Sequence, residues 1–508
     1  MRAEREIKQF VRAALEFLAR EADVAACEVY CSSSEHRVAR LNYTSDIASR
    51  GVEEFKSLNA DGFALRIVMR RDAHETATAA IAGDLSLDAV RAALRRARHT
   101  TVADPHFPGL PAAPRTLPRN IGAAAASDLM RAPDRAIAQA AWQIVGGAIG
   151  AYRAGTPLKL ARPGLVIGGD LSLIRDRIAI GSSAFTDIRA DQSAHFIASV
   201  TALVESLAAK GTATAVGGSR DAMSRAGARL GREAVTRALA LRHGERPAAG
   251  TWRVVLGPQP IAEILNYMVM PSLTTGAFHA ATSAYHGRFG TPVIDAHLSL
   301  ADDPHASIGP VRRRVTCEGL PATATELIRA GRLVGLLSNV YDSHRLATDE
   351  HRAEKLGAGA NPDTAFPARN GYRMGESPAR RYDGHPGSTG TNVMMRTREG
   401  VSERELIGAV GDGLYIGRIW YTYPINGQRA GDFTCTVSGD SYVIRDGKLA
   451  APLAPNCLRI NANLEQVFAR PLAVGKRSSP AVVWGAPEAY FVPALALEGI
   501  TLARIGED

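Results

Sequence analysis

The sequence of 508 residues has few cysteines, no long apolar run and no familiar catalytic motif. Its five cysteines are an odd number for a disulfide framework. Cys27 and Cys31 fall in a strand-like run, where about 3.3 Å per residue would place them about 13 Å apart, too far to bridge. Unpaired cysteines are typical of proteins in a reducing compartment, and we expect this protein to be cytoplasmic.

No segment predicts export or a membrane span. The N-terminus begins Met1-Arg-Ala-Glu-Arg-Glu and lacks the apolar core of a signal peptide. The longest uncharged helical stretch, Ala136 to Tyr152, is dominated by Ala and Gly and falls short of the about 20 apolar residues that a membrane helix needs. We therefore expect no membrane partner.

Charge is not concentrated in any part of the chain. There are 60 Lys and Arg against 51 Asp and Glu, a net charge of +9. Proteins that bind nucleic acid concentrate their charge on one face, so this thin excess argues against nucleic acid as a partner. The run Arg312-Arg313-Arg314 has no aromatic residue within it, which favours a solvated strand edge over a phosphate site.

Common catalytic and metal-binding motifs are absent. There is no Gly-x-Ser-x-Gly elbow and no Gly-Lys-Ser/Thr phosphate loop, and the single His-Glu pair, His74-Glu75, has no second His at a useful spacing. One weak cluster of His and Asp could bind a divalent metal. Its spacing spreads it over several short elements and so favours surface or hydrogen-bonding roles. The cluster comprises His279, His286, Asp295, His297, Asp302, Asp303 and His305.

The residues that are present predict an α+β fold. In residues 1–102, apolar positions from Ile7 to Leu18 recur at spacings of three and four and predict a first helix. Strand-like runs follow, with a hairpin signal at Asp61-Gly62, and Ser86 is a suitable N-cap for a second helix. This order predicts an N-terminal α+β unit with an antiparallel sheet.

Proline and glycine divide the rest of the chain. Five prolines in residues 103–120 exclude a helix or a central strand and predict a linker. Residues 121–248 predict a second α+β segment. Residues 249–508 carry many short strand-like runs between Gly and Pro and predict a mostly β C-terminal domain.

Two features are expected within this C-terminal domain. A helix should begin near Pro260 and end at Pro271, because proline is favoured in the first turn of a helix and excluded from its interior. Residues 345–390 are polar and rich in Gly, Pro and Arg, and predict a long loop.

Several ordered motifs in the C-terminal half carry a family resemblance. They are Gly413-Leu-Tyr-Ile-Gly, Ile425-Asn-Gly-Gln-Arg-Ala-Gly-Asp-Phe-Thr, Tyr442-Val-Ile-Arg-Asp-Gly-Lys and the run that starts Glu318-Gly-Leu-Pro-Ala-Thr. Together they resemble the TldD/PmbA family.

Individual residues match that family's pattern. The family core Thr-Gly-Asp-Phe-Ser corresponds here to Ala-Gly431-Asp432-Phe433-Thr, and Asn392 corresponds to the second residue of its Thr-Asn step. Because the N-terminal α+β unit and the linker also follow in the expected order, the resemblance spans nearly the whole chain.

The resemblance implies a bacterial or archaeal cytoplasmic metalloprotease system. Such a system is a heterodimer that encloses a chamber and takes in unfolded peptides. Its TldD-type subunit carries His-Glu-x-x-x-His and a late Cys as zinc ligands, and its PmbA-type subunit, also called TldE, lacks them.

Carried over to this chain, the zinc motif falls on residues that cannot form it. By alignment the first His is at Asn266, the Glu at Tyr267, the second His at Pro271 and the late Cys at Val474. These side chains supply no ligand set for zinc and no base for a bound water, and His-Glu-x-x-x-His occurs nowhere in the chain. We therefore expect a non-catalytic PmbA/TldE-like subunit without a metal of its own, zinc in a TldD-like partner and unfolded peptide as substrate.

Two other hypotheses stay open at this point. One is a stand-alone hydrolase or metal-binding enzyme that uses the region His279–His305. The other is a nucleic-acid-associated protein, suggested by the charge of +9 and by the family's historical link with gyrase.

Overall fold

The computed structural model describes most of the chain as three large sheets and a two-stranded hairpin, with helices against them. The described residues are 1–45, 47, 50–70, 75–112, 116–118, 128–155, 164–207, 209–241, 244–361, 363–375 and 377–506. The predicted α+β class, with antiparallel pairing and a mostly β C-terminal region, is confirmed. No helix among these residues is long and apolar enough to cross a membrane.

The N-terminal half forms one antiparallel sheet of seven strands in the order β4-β3-β2-β1-β5-β6-β7. The strands are β1 (Val24–Thr44), β2 (Gly51–Met69), β3 (Glu75–Ala82), β4 (Val102–Ala103), β5 (Leu165–Ser182), β6 (Phe185–Val204) and β7 (Ala209–Gly217). The helices are α1 (Glu4–Leu18), α2 (Leu87–His99), α3 (Asp134–Gly155) and α4 (Arg220–Ala240).

All four helices cover the same face of this sheet. On β1, Cys27, Val29 and Cys31 pack against α1 and α2, and Ala39 and Leu41 pack against α3 and α4. These five residues share one face because side chains alternate along a strand. The predicted first helix is confirmed as α1. Ser86 caps α2 as predicted, since its hydroxyl accepts from the Ala89 N–H at 3.1 Å.

The hairpin predicted at Asp61-Gly62 is wrong, because β2 runs unbroken through these residues. A Cβ at Gly62 would lie 2.5 Å from the Ala82 carbonyl oxygen and 2.6 Å from the Tyr382 ring. The glycine therefore reflects close packing and not a turn.

Strands of both predicted N-terminal segments belong to one sheet. β1 pairs with β5 from Glu28 opposite Ser182 to Thr44 opposite Val166. The limits of a first unit at 1–102, a linker at 103–120 and a second segment at 121–248 stay a prediction.

The C-terminal half contains the other strands. A nine-stranded sheet has the order β16-β17-β20-β24-β8-β15-β18-β19, with β21 also paired to β24. A six-stranded sheet has the order β11-β10-β9-β14-β23-β22, and β12 and β13 form a hairpin. The strands are β8 (Gly250–Leu256), β9 (Leu298–Asp302), β10 (Thr325–Arg329), β11 (Arg332–Leu333), β12 (Gly371–Met374), β13 (His385–Ser388), β14 (Asn392–Thr397), β15 (Gly413–Ile416), β16 (Ile419–Pro424), β17 (Asp432–Val437), β18 (Tyr442–Arg445), β19 (Lys448–Pro452), β20 (Leu458–Asn463), β21 (Ala473–Val474), β22 (Ser479–Ala481), β23 (Ala489–Val492) and β24 (Leu495–Arg504).

Short helices connect these strands. They are α5 (Pro258–Ile264), α6 (Met270–Ser272), α7 (Thr275–His279), α8 (Val340–Ala347), α9 (Arg352–Leu356), α10 (Glu403–Val410) and α11 (Leu464–Phe468). Residues 345–390 were predicted as a long loop, but they contain the end of α8, all of α9 and the β12–β13 hairpin. The hairpin was missed because its two strands have only four residues each and contain no apolar run.

The second face of the seven-stranded sheet is buried against the C-terminal half by an apolar cluster that includes Tyr30, Ile178 and Val315 and by charged side chains. Arg380 is 1% exposed and lies between two carboxylates of the sheet. Its Nη2 is 2.7 Å from Asp176 Oδ1 on β5, and its Nη1 is 2.7 Å from Asp191 Oδ2 on β6. Burial by itself raises the pKa of Asp176, but Arg380 outweighs it and holds that pKa below its ordinary value.

The predicted solvated edge at Arg312-Arg313-Arg314 is also wrong. Arg313 is 1% exposed, and its guanidinium lies 4.3 Å from the centre of the Tyr372 ring. The backbone N–H of Arg314 donates to Asp191 at 2.9 Å. The run therefore belongs to the same buried polar interface, which composition alone cannot distinguish from a surface.

We predict that Arg380→Gln lowers the free energy of unfolding by about 3 to 5 kcal/mol, because it leaves two buried carboxylates without a cation. Urea unfolding at neutral pH measures this change. The matched control is Arg381→Gln, which removes a more exposed ion pair with Asp383 and should cost about 0.2 to 1 kcal/mol. Equal losses in both variants would contradict the interpretation.

Candidate functional site

The helix to which the zinc motif aligns follows β8 directly. Gly257 ends the buried strand, and Pro258 stands in the first turn of α5, where its missing N–H costs nothing. The helix begins two residues before the predicted Pro260 and continues beyond Pro271 to Ser272. Between α5 and α6, Leu265–Val269 forms a π-turn, in which the Met270 N–H donates to the Leu265 carbonyl.

This π-turn carries the first two aligned positions. Asn266 and Tyr267 lie within it, and Pro271 stands in the turn that follows. In an α-helix of 3.6 residues per turn, residues five apart are about 140° apart around the axis. A π-turn joins residues five apart and so brings them to one side of the helix. The backbone thus has the shape that two ligands with the spacing of His-Glu-x-x-x-His require.

The side chains on this turn have other partners. Asn266 Oδ1 accepts a hydrogen bond of 2.9 Å from the hydroxyl of Tyr490, which is fully buried on β23. Tyr267 is partly exposed, and its hydroxyl lies 3.5 Å from the Trp484 carbonyl. Burial raises the pKa of Tyr267, and the neighbouring Glu263 adds to this shift. The phenol therefore stays protonated at neutral pH.

Val474, the fourth aligned position, lies on a different element. It is buried on β21, where it pairs with Leu495 of β24. Leu495 in turn pairs with Leu256 at the end of β8. The register therefore places Val474 two strands away from Leu256, the last residue of β8.

These four positions do not fit zinc. Pro271 and Val474 offer no side-chain donor, the Asn266 amide oxygen is already engaged, and the Tyr267 phenol is protonated. Elsewhere in the described residues, no three His, Cys, Asp or Glu side chains are grouped to hold a metal ion. The expectation that this chain lacks a metal of its own stays a prediction.

Sequence reasoning missed Gln428, which supports the π-turn. Its amide donates to the Met268 carbonyl and lies 3.2 Å from the Ser272 hydroxyl. It also lies 3.5 Å from the Tyr267 carbonyl, which cannot pair with Pro271 because proline has no N–H. The proline was the available signal, since it predicts an unpaired helix carbonyl that another segment must satisfy.

The structure separates the four histidines of the cluster between residues 279 and 305. His279 Nε2 lies 3.4 Å from Asp349, and His286 Nδ1 lies 3.3 Å from Arg429. His297 lies 3.8 Å from Glu399.

The remaining histidine and the three aspartates of the cluster have local partners. His305 Nε2 is 2.9 Å from the Ala322 carbonyl. Asp295 and Asp303 accept from the backbone N–H of the residue two positions on, at 2.9 and 2.8 Å. Asp302 accepts from Thr391 and Asn370. Each side chain thus serves a separate hydrogen bond or ion pair.

The motif residue Asn392 has a structural role. It is fully buried at the start of β14. Its Oδ1 accepts from the Val311 N–H at 3.1 Å, and its Nδ2 donates to the carbonyls of Asp303 and Val311 at 2.9 and 2.8 Å. A Cβ at Gly309 would lie 2.4 Å from Asn392 Cγ, so this loop is packed tightly around the amide.

The Gly431-Asp432-Phe433 motif shapes the entry to β17. Gly431 has a φ of +71°, a left-handed conformation that glycine adopts without strain. Asp432 accepts hydrogen bonds from the amides of Asn463 and Asn426, and these bonds lower its pKa. Phe433 is fully buried in the C-terminal core. None of the three contacts the aligned positions on the π-turn among the hydrogen bonds of the described residues.

One titratable side chain lies on the helix just before the π-turn. Glu263 is 6% exposed and accepts from Gln259 at 2.9 Å. Burial raises its pKa from 4.5 to about 7, against the opposing effects of Arg418 and Gln259.

Comparison with known proteins identifies the family. Residues 249–504, half of the chain, match the model described as the PmbA/TldA metallopeptidase C-terminal domain. The chain belongs to the PmbA/TldD family. The PmbA/TldD match starts at residue 249, where the mostly β domain was predicted to begin. No curated protein matches the sequence.

Solved structures of this family's type share the fold over nearly the full length. TldE from Thermococcus kodakarensis has a TM-score of 0.75 and 14% identity, with 98% of this chain and 100% of that chain covered. A proposed DNA gyrase modulator from Bacteroides thetaiotaomicron has a TM-score of 0.70 and 15% identity, with 98% and 99% covered. Another proposed DNA gyrase modulator, from Thermotoga maritima, has a TM-score of 0.71 and 12% identity, with 97% of this chain and 99% of that chain covered. Identities this low establish the fold alone.

We predict that Asn392→Ala lowers the free energy of unfolding by about 2 to 4 kcal/mol, because it removes three hydrogen bonds and leaves buried backbone groups unpaired. Thermal and urea unfolding measure this loss. The control Asn426→Ala removes one exposed hydrogen bond to Asp432 and should cost under about 1 kcal/mol. A loss below about 1 kcal/mol for Asn392→Ala would show that the residue does not hold the loop.

We predict a pH dependence of stability from Glu263. Because its folded pKa of about 7 lies above the ordinary 4.5, the folded state binds more protons between these values, and its stability falls as pH rises through this range. Glu263→Gln removes the ionisation and should raise the free energy of unfolding at pH 8 by about 1 to 3 kcal/mol relative to wild type. Urea unfolding at pH 5 and pH 8 measures the difference. Exposed Glu465→Gln is the control, and an unchanged pH slope in Glu263→Gln would refute the shift.

Proposed function

We propose that this chain is the non-catalytic, PmbA/TldE-like subunit of a heterodimeric zinc metalloprotease that degrades or processes unfolded peptides in the cytoplasm. Its partner is a TldD-like chain that carries His-Glu-x-x-x-His and binds the zinc. The observation that carries this proposal is the helical segment 258–272. It has a π-turn at the aligned position, but Asn266, Tyr267 and Pro271 stand in place of the ligands and the base. The family description as a metallopeptidase and the TldE structure among the neighbours support it.

The strand next to this helix suggests how the subunit contributes to peptide binding. β16 is the terminal strand of the nine-stranded sheet and pairs with β17 alone among the described strands. The Gln259 side chain bonds both backbone groups of Ile419, at 3.0 and 3.2 Å, and so covers the start of the edge. The pairing of β16 with β17 is irregular between Trp420 and Tyr423, and no other described strand pairs with β16. An extended peptide can add to such an unpaired edge as a further strand.

Exposed aromatic side chains surround this edge. Tyr421 and Tyr423 are 66% and 50% exposed on β16, and Trp484 is 77% exposed beside Tyr267. Aromatic rings present large apolar area at little cost in side-chain entropy, and the backbone hydrogen bonds of an added strand are independent of sequence. This combination suits unfolded peptides of varied sequence.

The test is reconstitution from purified subunits. The chain alone should neither bind stoichiometric zinc nor cleave an unstructured peptide such as reduced casein. Mixed with its cognate His-Glu-x-x-x-His chain, it should form a one-to-one complex that cleaves casein and contains zinc in the partner. Zinc-dependent cleavage by the chain alone would refute the proposal and favour an enzyme with another site. Salt-dependent DNA binding without complex formation would favour the nucleic-acid hypothesis.

A substitution on the β16 edge tests its role in the complex. Tyr423→Ala should lower kcat/KM for an unfolded peptide by about 2- to 10-fold, because an aromatic contact is worth about 0.5 to 1.5 kcal/mol. Leu449→Ala is the matched control, since Leu449 is 42% exposed on β19 at the opposite edge of the same sheet. Equal rates for Tyr423→Ala and wild type would exclude this edge from peptide binding.

A further inference from the structure

A cavity lies between the two halves of the molecule, apart from the β16 edge. It has a volume of about 640 Å³, within the range of small-molecule sites. The N-terminal half contributes Arg66 of β2 with Asp104 and Phe107, and the C-terminal half contributes residues before and within α8 and the β12–β13 hairpin. The C-terminal lining residues are Glu318, Asn339, Tyr341, Asp342, Arg373, Gly384, His385 and Pro386.

Two arginines on the cavity wall have N–H donors for which the described residues supply no acceptor. Arg66 has a side chain that is 11% exposed, and its nearest carboxylate oxygen, on Glu28, is 4.0 Å away, too far for a hydrogen bond. Arg373 is 3% exposed and donates from Nη1 to the Gly384 carbonyl at 3.0 Å, while its Nε has no partner among the described residues. An anionic group in the cavity would satisfy these donors.

A buried carboxylate faces the same cavity. Glu318 is 1% exposed, and its Oε1 accepts from the Val340 N–H at 2.9 Å. Its Oε2 is buried without a hydrogen-bond partner in the described part of the chain. Burial raises the pKa of Glu318 to about 7, although Arg66 opposes the shift. Glu318 and Arg66 therefore interact electrostatically without forming an ion pair.

Charged groups that are buried without hydrogen-bond partners are costly. A molecule that carries both complementary charges would engage Glu318 and the two arginines together. The half-buried Asp342 and Asp104 add further carboxylates to the lining, and Phe107, Tyr341 and Pro386 add apolar surface. The lining thus combines cations, carboxylates and aromatic rings.

We propose that this cavity binds a small zwitterion, an α-amino acid or dipeptide with an apolar side chain. Its carboxylate pairs with Arg66 and Arg373, its ammonium group pairs with Glu318, and its side chain packs on Phe107 and Tyr341. The proposal does not depend on the metalloprotease hypothesis, because no residue of the π-turn or of β16 lines this cavity.

Titration calorimetry on the full-length protein tests the site, with L-phenylalanine and glycyl-L-phenylalanine as probes. We expect one of them to bind at a single site. N-acetyl-L-phenylalanine lacks the ammonium group and L-phenylalaninamide lacks the carboxylate, so each should bind at least about tenfold more weakly than L-phenylalanine. Absence of binding by both probes at millimolar concentration would overturn the proposal. Equal affinity for N-acetyl-L-phenylalanine would also overturn it in favour of a simple anion site.

Two substitutions of similar shape locate the binding. Arg66→Gln and Glu318→Gln should each weaken the affinity for the bound probe by at least about tenfold. Arg253→Gln makes the same change at an exposed ion pair with Glu498 and should bind as wild type. Circular-dichroism melting of the unliganded variants verifies their folding. Wild-type affinity in both folded cavity variants would place the ligand elsewhere and reject this site, and the analogue series on wild type decides the case if either variant does not fold.

Discussion

The pairing of Arg380 with Asp176 and Asp191 determines how the two halves of this molecule meet. A sheet face is ordinarily buried by apolar side chains, but here the second face of the seven-stranded sheet carries carboxylates that need cations. Asp191 also accepts the Arg314 N–H, so one buried carboxylate fixes two separate C-terminal segments. The same interface includes Arg313 on Tyr372 and the cavity between Arg66, Arg373 and Glu318. An apolar cluster of Tyr30, Ile178, Ile180, Val315 and Cys317 lies in the same interface, so charge pairs and apolar packing together hold the two halves.

The helical segment 258–272 combines a backbone suited to residues five apart with side chains that do not form a zinc site. A π-turn is a rare structure that serves residues five apart, yet in this chain it presents Asn266 to Tyr490 and leaves Tyr267 partly exposed. Gln428 satisfies carbonyls that the turn and Pro271 leave open. The turn is therefore stabilised by polar contacts from a neighbouring segment and does not require a bound metal.

Local pattern was sufficient wherever a single element determined burial. The periodic apolar residues from Ile7 to Leu18 predicted α1, Ser86 predicted the cap of α2, and the spacing of Cys27 and Cys31 predicted thiols without a bridge. Pattern was misleading wherever a distant segment decided the environment. Gly62 resembled a turn but accommodates Tyr382, and Arg313 resembled a surface residue but stacks on Tyr372. Tyr382 lies 320 residues from Gly62 and Tyr372 lies 59 residues from Arg313, so no local window contains either signal.

The sequence by itself determined the α+β class, the family resemblance and the absence of any His-Glu-x-x-x-His from the chain, because these depend on residue identity and short-range order. Only the tertiary structure decided that the helical segment 258–272 contains a π-turn and that the four clustered histidines have separate partners. It also decided that Asn392 holds a loop and that Arg66, Arg373 and Glu318 line one cavity. Each of these depends on distances between segments far apart in the chain. Such distances are set by the packing of two halves around buried charges, and that packing is a property of the whole fold.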